Sequence, residues 1–214
     1  MSTKIRVLVI SNCYPASNHQ GGVFIQKQVT DLQTSGIEIA TVVRRRLTFW
    51  AYIPFWFKTI LLLLLKRYDL VHAHYGFHSA LLAAVIKRRP LVTTFHGSDA
   101  LIDAWRNRLF LWLQRFVVSR SDYLIAVSNQ VRDVLVEKLG ADPHRVSVIS
   151  CGVDTAFFVP MKKADARAKL AVDIGEKDVL FVGRVHFDKG IDIISECARR
   201  MPDVSFCLVG TGSL

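Results

Sequence analysis

An α/β fold, with helices on both faces of a doubly wound parallel sheet, is what this sequence of 214 residues predicts. Three observations lead there. Short runs rich in Val, Ile and Leu recur along the chain, and most are continuously apolar, as strands covered on both faces must be. Segments with helical apolar spacing lie between them, so β and α alternate. Polar and glycine-rich residues follow nearly every run, which gathers them along the edge where an open parallel sheet binds ligands.

The first strand is expected over 5–10. The opening residues, MSTKIRVLVISN, have a short apolar run that shades into polar residues, which reads as a strand and not as a signal peptide. A helix over 23–35 puts Ile25, Val29 and Leu32 on one face, and a strand over 37–43 follows. After a strand over 70–73, a helix over 78–88 carries Leu81, Leu82, Val85 and Ile86. A strand over 91–95 leads to a long aromatic helix over 101–119, then a strand over 123–127. Ser128 caps a helix over 129–139 that buries Val131, Val134, Leu135 and Leu139, and Gly140 ends it. A strand over 146–149 closes the series.

Residues 1–160 therefore read as one Rossmann-like domain. A linker over 161–178 follows, with a short helical piece over 164–170. Residues 179–214 then start a second Rossmann-like domain with a single β-α-β unit: strands over 179–182 and 205–209 around a helix over 191–201. That helix is expected to bury Ile191, Ile194, Ala198 and Met201. One such unit cannot cover both faces of its sheet, so it is expected to be the least stable part.

Residues 47–65, LTFWAYIPFWFKTILLLLL, form a strongly apolar stretch between Arg44, Arg45 and Arg46 on one side and Lys66 and Arg67 on the other. Three readings stand: a buried or half-buried helix pair, a patch that dips into an anionic leaflet, and a transmembrane span. Pro54 and Lys58 interrupt the stretch, and positive charge on both flanks favours no orientation.

The composition, 51% hydrophobic, supports a sizeable core and excludes a disordered chain. The net charge of +10 suits anionic partners such as nucleotide-sugars, phospholipid headgroups or nucleic acid. The basic residues are scattered and carry no nucleic-acid-binding motif, so no nucleic-acid partner is expected. Cys13, Cys151, Cys197 and Cys207 lack CxxC spacing and read as free buried thiols in a reducing cytoplasm.

Candidate site residues come from the strand ends. Gly21 and Gly22 open a helix, where bare N–H groups and the helix dipole suit a phosphate, although an ordinary turn fits as well. Arg184 and Lys189, in GRVHFDKG, place cations near a helix start, which the dipole disfavours unless an anion joins them. His96, in TTFHGSD, sits with Gly97 and Asp99 in a tight turn that reads as exposed. Asp99 serves there either as a sugar contact or as a helix cap. His72, His74 and His78 raise the question of zinc, but no cysteine or carboxylate at ligand spacing completes a set. The sequence has neither a DxD pair for a divalent metal nor a GxSxG elbow. The GTG at 210–212 is a weak dinucleotide-loop signal.

Taken in order, GGVFIQKQVTDL, YDLVHAHYGF, PLVTTFHGSDA, SDYLIAVSNQVRDVLVEKLG, RVSVISCGVDTAFFVP and VLFVGRVHFDKG resemble the GT-B fold glycosyltransferases of family GT4, of the kind that builds envelope polysaccharides. The resemblance implies two Rossmann-like domains facing across a cleft, an N-terminal one for the acceptor and a C-terminal one for a nucleoside-diphosphate sugar. It implies a retaining hexosyltransferase that needs no cofactor and no metal. Gly21, Gly22, Gly183, Arg184, Lys189 and Gly210 would line the donor. His96 would contact the donor sugar, and Arg184 and Lys189 would neutralise the leaving diphosphate. Asn12, Tyr14, His74, Tyr75, Asp99, Ser128 and Asn129 would face a glycan or lipid-linked acceptor. The expected location is the cytoplasm, with peripheral contact at the inner face of the membrane through 44–67.

Two departures from the family pattern stand out. Cys151 replaces an asparagine in the motif ending Gly152-Val153-Asp154, and a thiol cannot copy an amide's hydrogen bonds. The family's E-x7-E motif lies beyond position 214, so the donor domain is expected to be cut short and this chain inactive or incomplete alone. Alternatives are the non-catalytic half of a split transferase, a decayed gene product, or a sugar-nucleotide epimerase on the same fold, for which no acid–base pair can be placed.

Overall fold

The computed structural model describes residues 4–16, 21–46, 48–170 and 178–212. The chain divides into two compact units, Met1–Val153 and Asp154–Leu214.

The first unit is a six-stranded, wholly parallel sheet in the order β2-β1-β3-β4-β5-β6. Its strands are β1 (Arg6–Ser11), β2 (Glu38–Val43), β3 (Leu70–His74), β4 (Leu91–Phe95), β5 (Tyr123–Ala126) and β6 (Val146–Val148). The chain moves outward from β1 to β2, then returns to the other side of β1 with β3. The strand order therefore reverses between β1 and β3, and a crevice opens there at the carboxyl ends.

Alternation along β1 shows the double winding. Leu8 and Ile10 join one apolar cluster, whereas Val7 and Val9 join another with Ile25 and Val29 of α1 (Val23–Thr34). The first cluster packs α2 (Tyr52–Leu65), α3 (Gly76–Ile86) and α5 (Arg108–Arg120) on one face. A third cluster seats α6 (Asn129–Asp133) under Phe95, Leu124 and Ala126. Ser128 caps α6 by accepting from Val131 N at 3.3 Å, and a π-helical turn, Val134–Lys138, carries the helix on to Gly140. Val131, Leu135 and Leu139 are buried, as their spacing implies.

Several expectations are corrected. In α3 the residues buried in the core are Phe77, Ala80, Ala83 and Ala84; of the expected set, Leu81 and Ile86 are half-buried against it and Val85 is exposed. Small side chains let α3 settle closely between the sheet, α2 and α5. The helix expected over 101–119 is broken into α4 (Ser98–Leu101), a 3₁₀ turn (Asp103–Trp105) and α5. Asn107 causes the restart: its Oδ1 accepts from Phe110 N at 2.9 Å and caps α5.

Residues 52–65 form one helix, α2, entered by a 3₁₀ turn, Phe49–Ala51; Leu47 lies outside the described residues. Pro54 is tolerated because it sits in the first turn, where its missing N–H has no helical acceptor. Phe55, Thr59 and Leu63 are buried, so the helix is half-buried. Among the described residues, no helix is long and apolar enough to cross a membrane.

In the second unit α7 (Lys163–Leu170) precedes β7 (Asp178–Val182), which pairs in parallel with β8 (Ser205–Val209) through α8 (Ile191–Arg200). Residues 171–177 of the expected linker and 213–214 lie outside the described residues. Of the four apolar residues expected inward on α8, only Ile191 is buried, and Met201 is exposed. Leu180, Val182, Leu208 and Val209 are exposed as well, because a two-stranded sheet with one helix has too little material to cover them.

Candidate functional site

The carboxyl ends of β1, β3 and β4 bring three loops together. After β1, Ser11 Oγ donates to Cys13 O at 2.7 Å and tightens the turn. Gly22 then caps α1 with a left-handed backbone, φ 77°. A Cβ there would run into the Cys13 carbonyl, so glycine is required twice, by conformation and by space. The first turn of α1 holds no acidic residue, and its dipole is uncompensated by any side chain there.

After β3, Tyr75 also adopts a left-handed backbone, φ 71°, unusual for a residue with a Cβ. Its side chain hydrogen-bonds the Cys13 thiol. Burial above all pushes both the Tyr75 hydroxyl and the Cys13 thiol to higher pKa, so both are neutral donors at pH 7.

After β4 comes His96. Its Nε2 lies 3.1 Å from His74 Nδ1, and its ring packs between Phe24 of α1 and Tyr75, with centroids 4.8 and 4.6 Å away. His72, two residues before His74 on the same face of β3, continues the stack at 4.2 Å and meets Thr94 Oγ1 at 2.8 Å. Burial lowers all three imidazoles, His72 and His96 to about 4 and His74 well below its usual range. The stack is therefore neutral at pH 7. It is a set of hydrogen-bonding groups, and among the described residues no cluster of His, Cys, Asp or Glu could hold a metal ion.

Asp99 lies under this turn. The turn is not exposed there, as the sequence suggested, because Asp99 is fully buried. Its Oδ1 accepts from His96 N at 3.0 Å and Ala100 N at 3.1 Å, and Oδ2 is buried with no partner. Burial pushes its carboxyl up to about 7, against the opposing pull of those N–H donors. Asp99 does not cap a helix: it lies inside α4, whose cap position Gly97 holds without a side-chain hydrogen bond, and its carboxyl binds the turn before the helix instead.

Several residues expected to face an acceptor are turned inward. His74 is buried, and its Nδ1 lies 3.1 Å from His96 Nε2. Tyr14 is buried in the core beside Ile25 and Val29. Asn12 is a structural node: its N–H donates to Ser79 Oγ at 2.8 Å, its amide to Tyr52 Oη at 3.3 Å, and its carbonyl accepts from Arg44 Nε at 3.0 Å. Ser128 is engaged in capping α6, and Asn129 is exposed beside it.

Three contributors were missed from sequence. Gln114 of α5 is fully buried; its Nε2 donates to Asp99 O and its Oε1 accepts from Phe77 N, both at 2.7 Å. It thereby ties the loops after β3 and β4 together, and an amide inside the stripe that buries Val117 and Val118 was its signal. Arg44 is buried too, over the Tyr52 ring at 4.2 Å. Cys151 borders a cleft of about 360 Å³ and lies 3.9 Å from His96 Nδ1. Phe24, Thr94, His96 and Gly152 also line this cleft.

The second unit holds the remaining candidates. Gly183 N donates to Val209 O at 2.9 Å, and a Cβ on Gly210 would collide with the Gly183 carbonyl, so the two strand ends approach closely at glycine. Arg184 is paired with Asp188, which also meets His186 Nδ1 at 2.8 Å. Asp188 was the unforeseen member, since it offsets a cation that spacing alone leaves unpaired. Lys189 ends the 3₁₀ turn Phe187–Lys189.

Residues 4–157 match the model of Glycosyltransferase Family 4. The chain belongs to that family. A D-inositol 3-phosphate glycosyltransferase of Segniliparus rotundus is 36% identical over 161 residues, covering 69% of this chain and 36% of that protein. The chain thus spans about a third of the length of the curated relatives it matches. Among solved structures, Anabaena HepE in complex with UDP and glucose shares 19% identity at a TM-score of 0.64, over 99% of this chain and 62% of that one. Sucrose-phosphate synthase of Thermosynechococcus elongatus, also 19% identical, aligns at 0.73 over 97% of this chain and 62% of that one. The fold of this family 4 chain is accordingly the GT-B fold.

Proposed function

We propose that residues 1–160 bind the acceptor and residues 179–214 begin the donor-binding domain of a retaining, metal-independent glycosyltransferase, with 161–178 as the linker. The enzyme moves a hexose-type sugar from a nucleoside-diphosphate sugar to a glycan or lipid-linked acceptor in envelope polysaccharide synthesis, in the cytoplasm. The observation that carries this reading is the side-chain-free start of α1 at the strand-order reversal, with His96 Nδ1 facing the adjoining cleft.

The donor diphosphate rests against Gly21 and Gly22, where N–H groups and the helix dipole meet it. His96, neutral and positioned by His74, hydrogen-bonds the donor sugar. The bond from the anomeric carbon to the phosphate oxygen breaks, and the acceptor oxygen bonds to that carbon on the same face. The acceptor proton passes to the leaving phosphate. Arg184 and Lys189 stabilise the charge that develops on the diphosphate, the main catalytic lever in such a site. HepE, solved with UDP and glucose, makes UDP-glucose the first donor to test; the inositol phosphate in the relatives' name makes a phosphorylated polyol the competing acceptor class.

The test is calorimetric titration of UDP on these 214 residues, then turnover of UDP-glucose by a chain of the relatives' length. Retained anomeric configuration and rates indifferent to chelator are expected. Inverted product or an absolute need for a divalent cation would overturn the mechanism.

A further inference from the structure

The outer face of α2 and of the turn before it is apolar and uncovered. Phe49, Trp50, Ile53, Phe57 and Leu65 are each more than half exposed, and Trp56, Leu61 and Leu64 are exposed beside them. So large an apolar surface is unusual on a water-facing helix. Its surroundings are cationic. From Arg44 to Tyr68 the chain has six Arg and Lys residues and no carboxylate. At the C-terminal end of α2, Lys66 and Arg67 join Arg88 and Arg89 around a recess of about 300 Å³. Arg88 Nη1 donates to Leu64 O at 3.2 Å, which pins this recess to the helix end.

We infer that the Phe49–Leu65 face is a docking surface for an anionic phospholipid leaflet. The aromatic side chains enter the interface, and Lys58, Lys66, Arg67, Arg88 and Arg89 hold headgroup phosphates. The 14 residues of α2 extend about 21 Å at 1.5 Å per residue, short of the roughly 30 Å of a bilayer core, so the helix lies in the interface and does not span it. Charge selects the occupant: a second copy would bring one basic rim against another, whereas a leaflet of anionic lipid complements it. The surface is also tied to the candidate site. Arg44 stacks on Tyr52 in the first turn of α2 and donates to the Asn12 carbonyl in the loop after β1.

Vesicle flotation of the 214-residue chain tests this independently of any transferase activity. Vesicles of phosphatidylcholine alone are compared with vesicles containing about one-third phosphatidylglycerol. Binding is expected only to the anionic vesicles, with a blue shift of tryptophan emission and quenching by lipids brominated on the acyl chain. Lys66→Glu with Arg67→Glu should weaken binding at least about tenfold, and Trp50→Ser with Trp56→Ser should remove the quenching. Quenching on the unaltered chain keeps the test sharp if a variant fails to fold. Equal binding to both vesicles, no binding to either, or a self-associated species in sedimentation that Trp50→Ser dissolves would each overturn the inference.

Discussion

Nδ1 of buried His74 lies 3.1 Å from Nε2 of half-buried His96, so each imidazole commits one nitrogen to the other. One must donate and one accept, which two neutral rings can do and two protonated rings cannot. The pair, extended by His72, ties the candidate site to a protonation state set by burial.

That arrangement predicts acid lability. The three histidines have folded pKa values below the usual 6.5, so the unfolded chain binds more protons as pH falls. Their contribution to stability is complete above about 6.5 and is lost as pH falls toward 4. Thermal melts between pH 8 and pH 4 should show a falling midpoint across that window. A flat profile would remove the stack as a determinant of stability.

Asp99 works in the opposite sense. Its folded pKa is raised from 3.8 to about 7, so its contribution is complete below 3.8 and is lost as pH rises through 7. Asp99→Asn keeps an oxygen acceptor for His96 N and Ala100 N but cannot ionise. Relative to the parent, the variant should gain roughly 1–3 kcal/mol on going from pH 5 to pH 8, because each tenfold change in a proton equilibrium is worth about 1.4 kcal/mol. Urea titration at both pH values gives the difference.

Gln114→Ala should cost about 2–4 kcal/mol, because it leaves Phe77 N and Asp99 O buried without partners. Urea unfolding gives the value. A loss under about 0.5 kcal/mol, typical of an ordinary surface change, would show that the strut is dispensable.

Gly22→Ala places a Cβ against the Cys13 carbonyl in a left-handed backbone. It should destabilise the chain by more than about 1 kcal/mol and, on the proposed reading, weaken UDP binding at least about tenfold. Unchanged affinity in calorimetry would place the phosphates elsewhere.

In a chain of the relatives' length, Arg184→Ala with Lys189→Ala should lower turnover by more than about an order of magnitude while donor binding changes less. Asp188→Asn should spare the fold, since its ion pair with Arg184 is exposed. Turnover that survives the double change would remove both cations from the mechanism.

The alternation of apolar runs and helical spacing was enough to establish the parallel α/β sheet and nearly all of its strands, because strand and helix periods are local properties of the chain. Glycine and cap signals were legible for the same reason: Gly22, Ser128 and Gly140 each act within a few residues of their own position. Tertiary structure decided what depends on distant neighbours. Gln114 joins loops some 15 and 37 residues away in sequence, and Asn12 is held by Tyr52, Ser79 and Arg44. Nor could spacing alone tell that α3 turns its alanines to the core, since this follows from the closeness of α2, α5 and the sheet. Periodicity records which faces are apolar. Burial, and with it the displaced pKa of His74 and of Asp99, is set only when separate elements pack and exclude water.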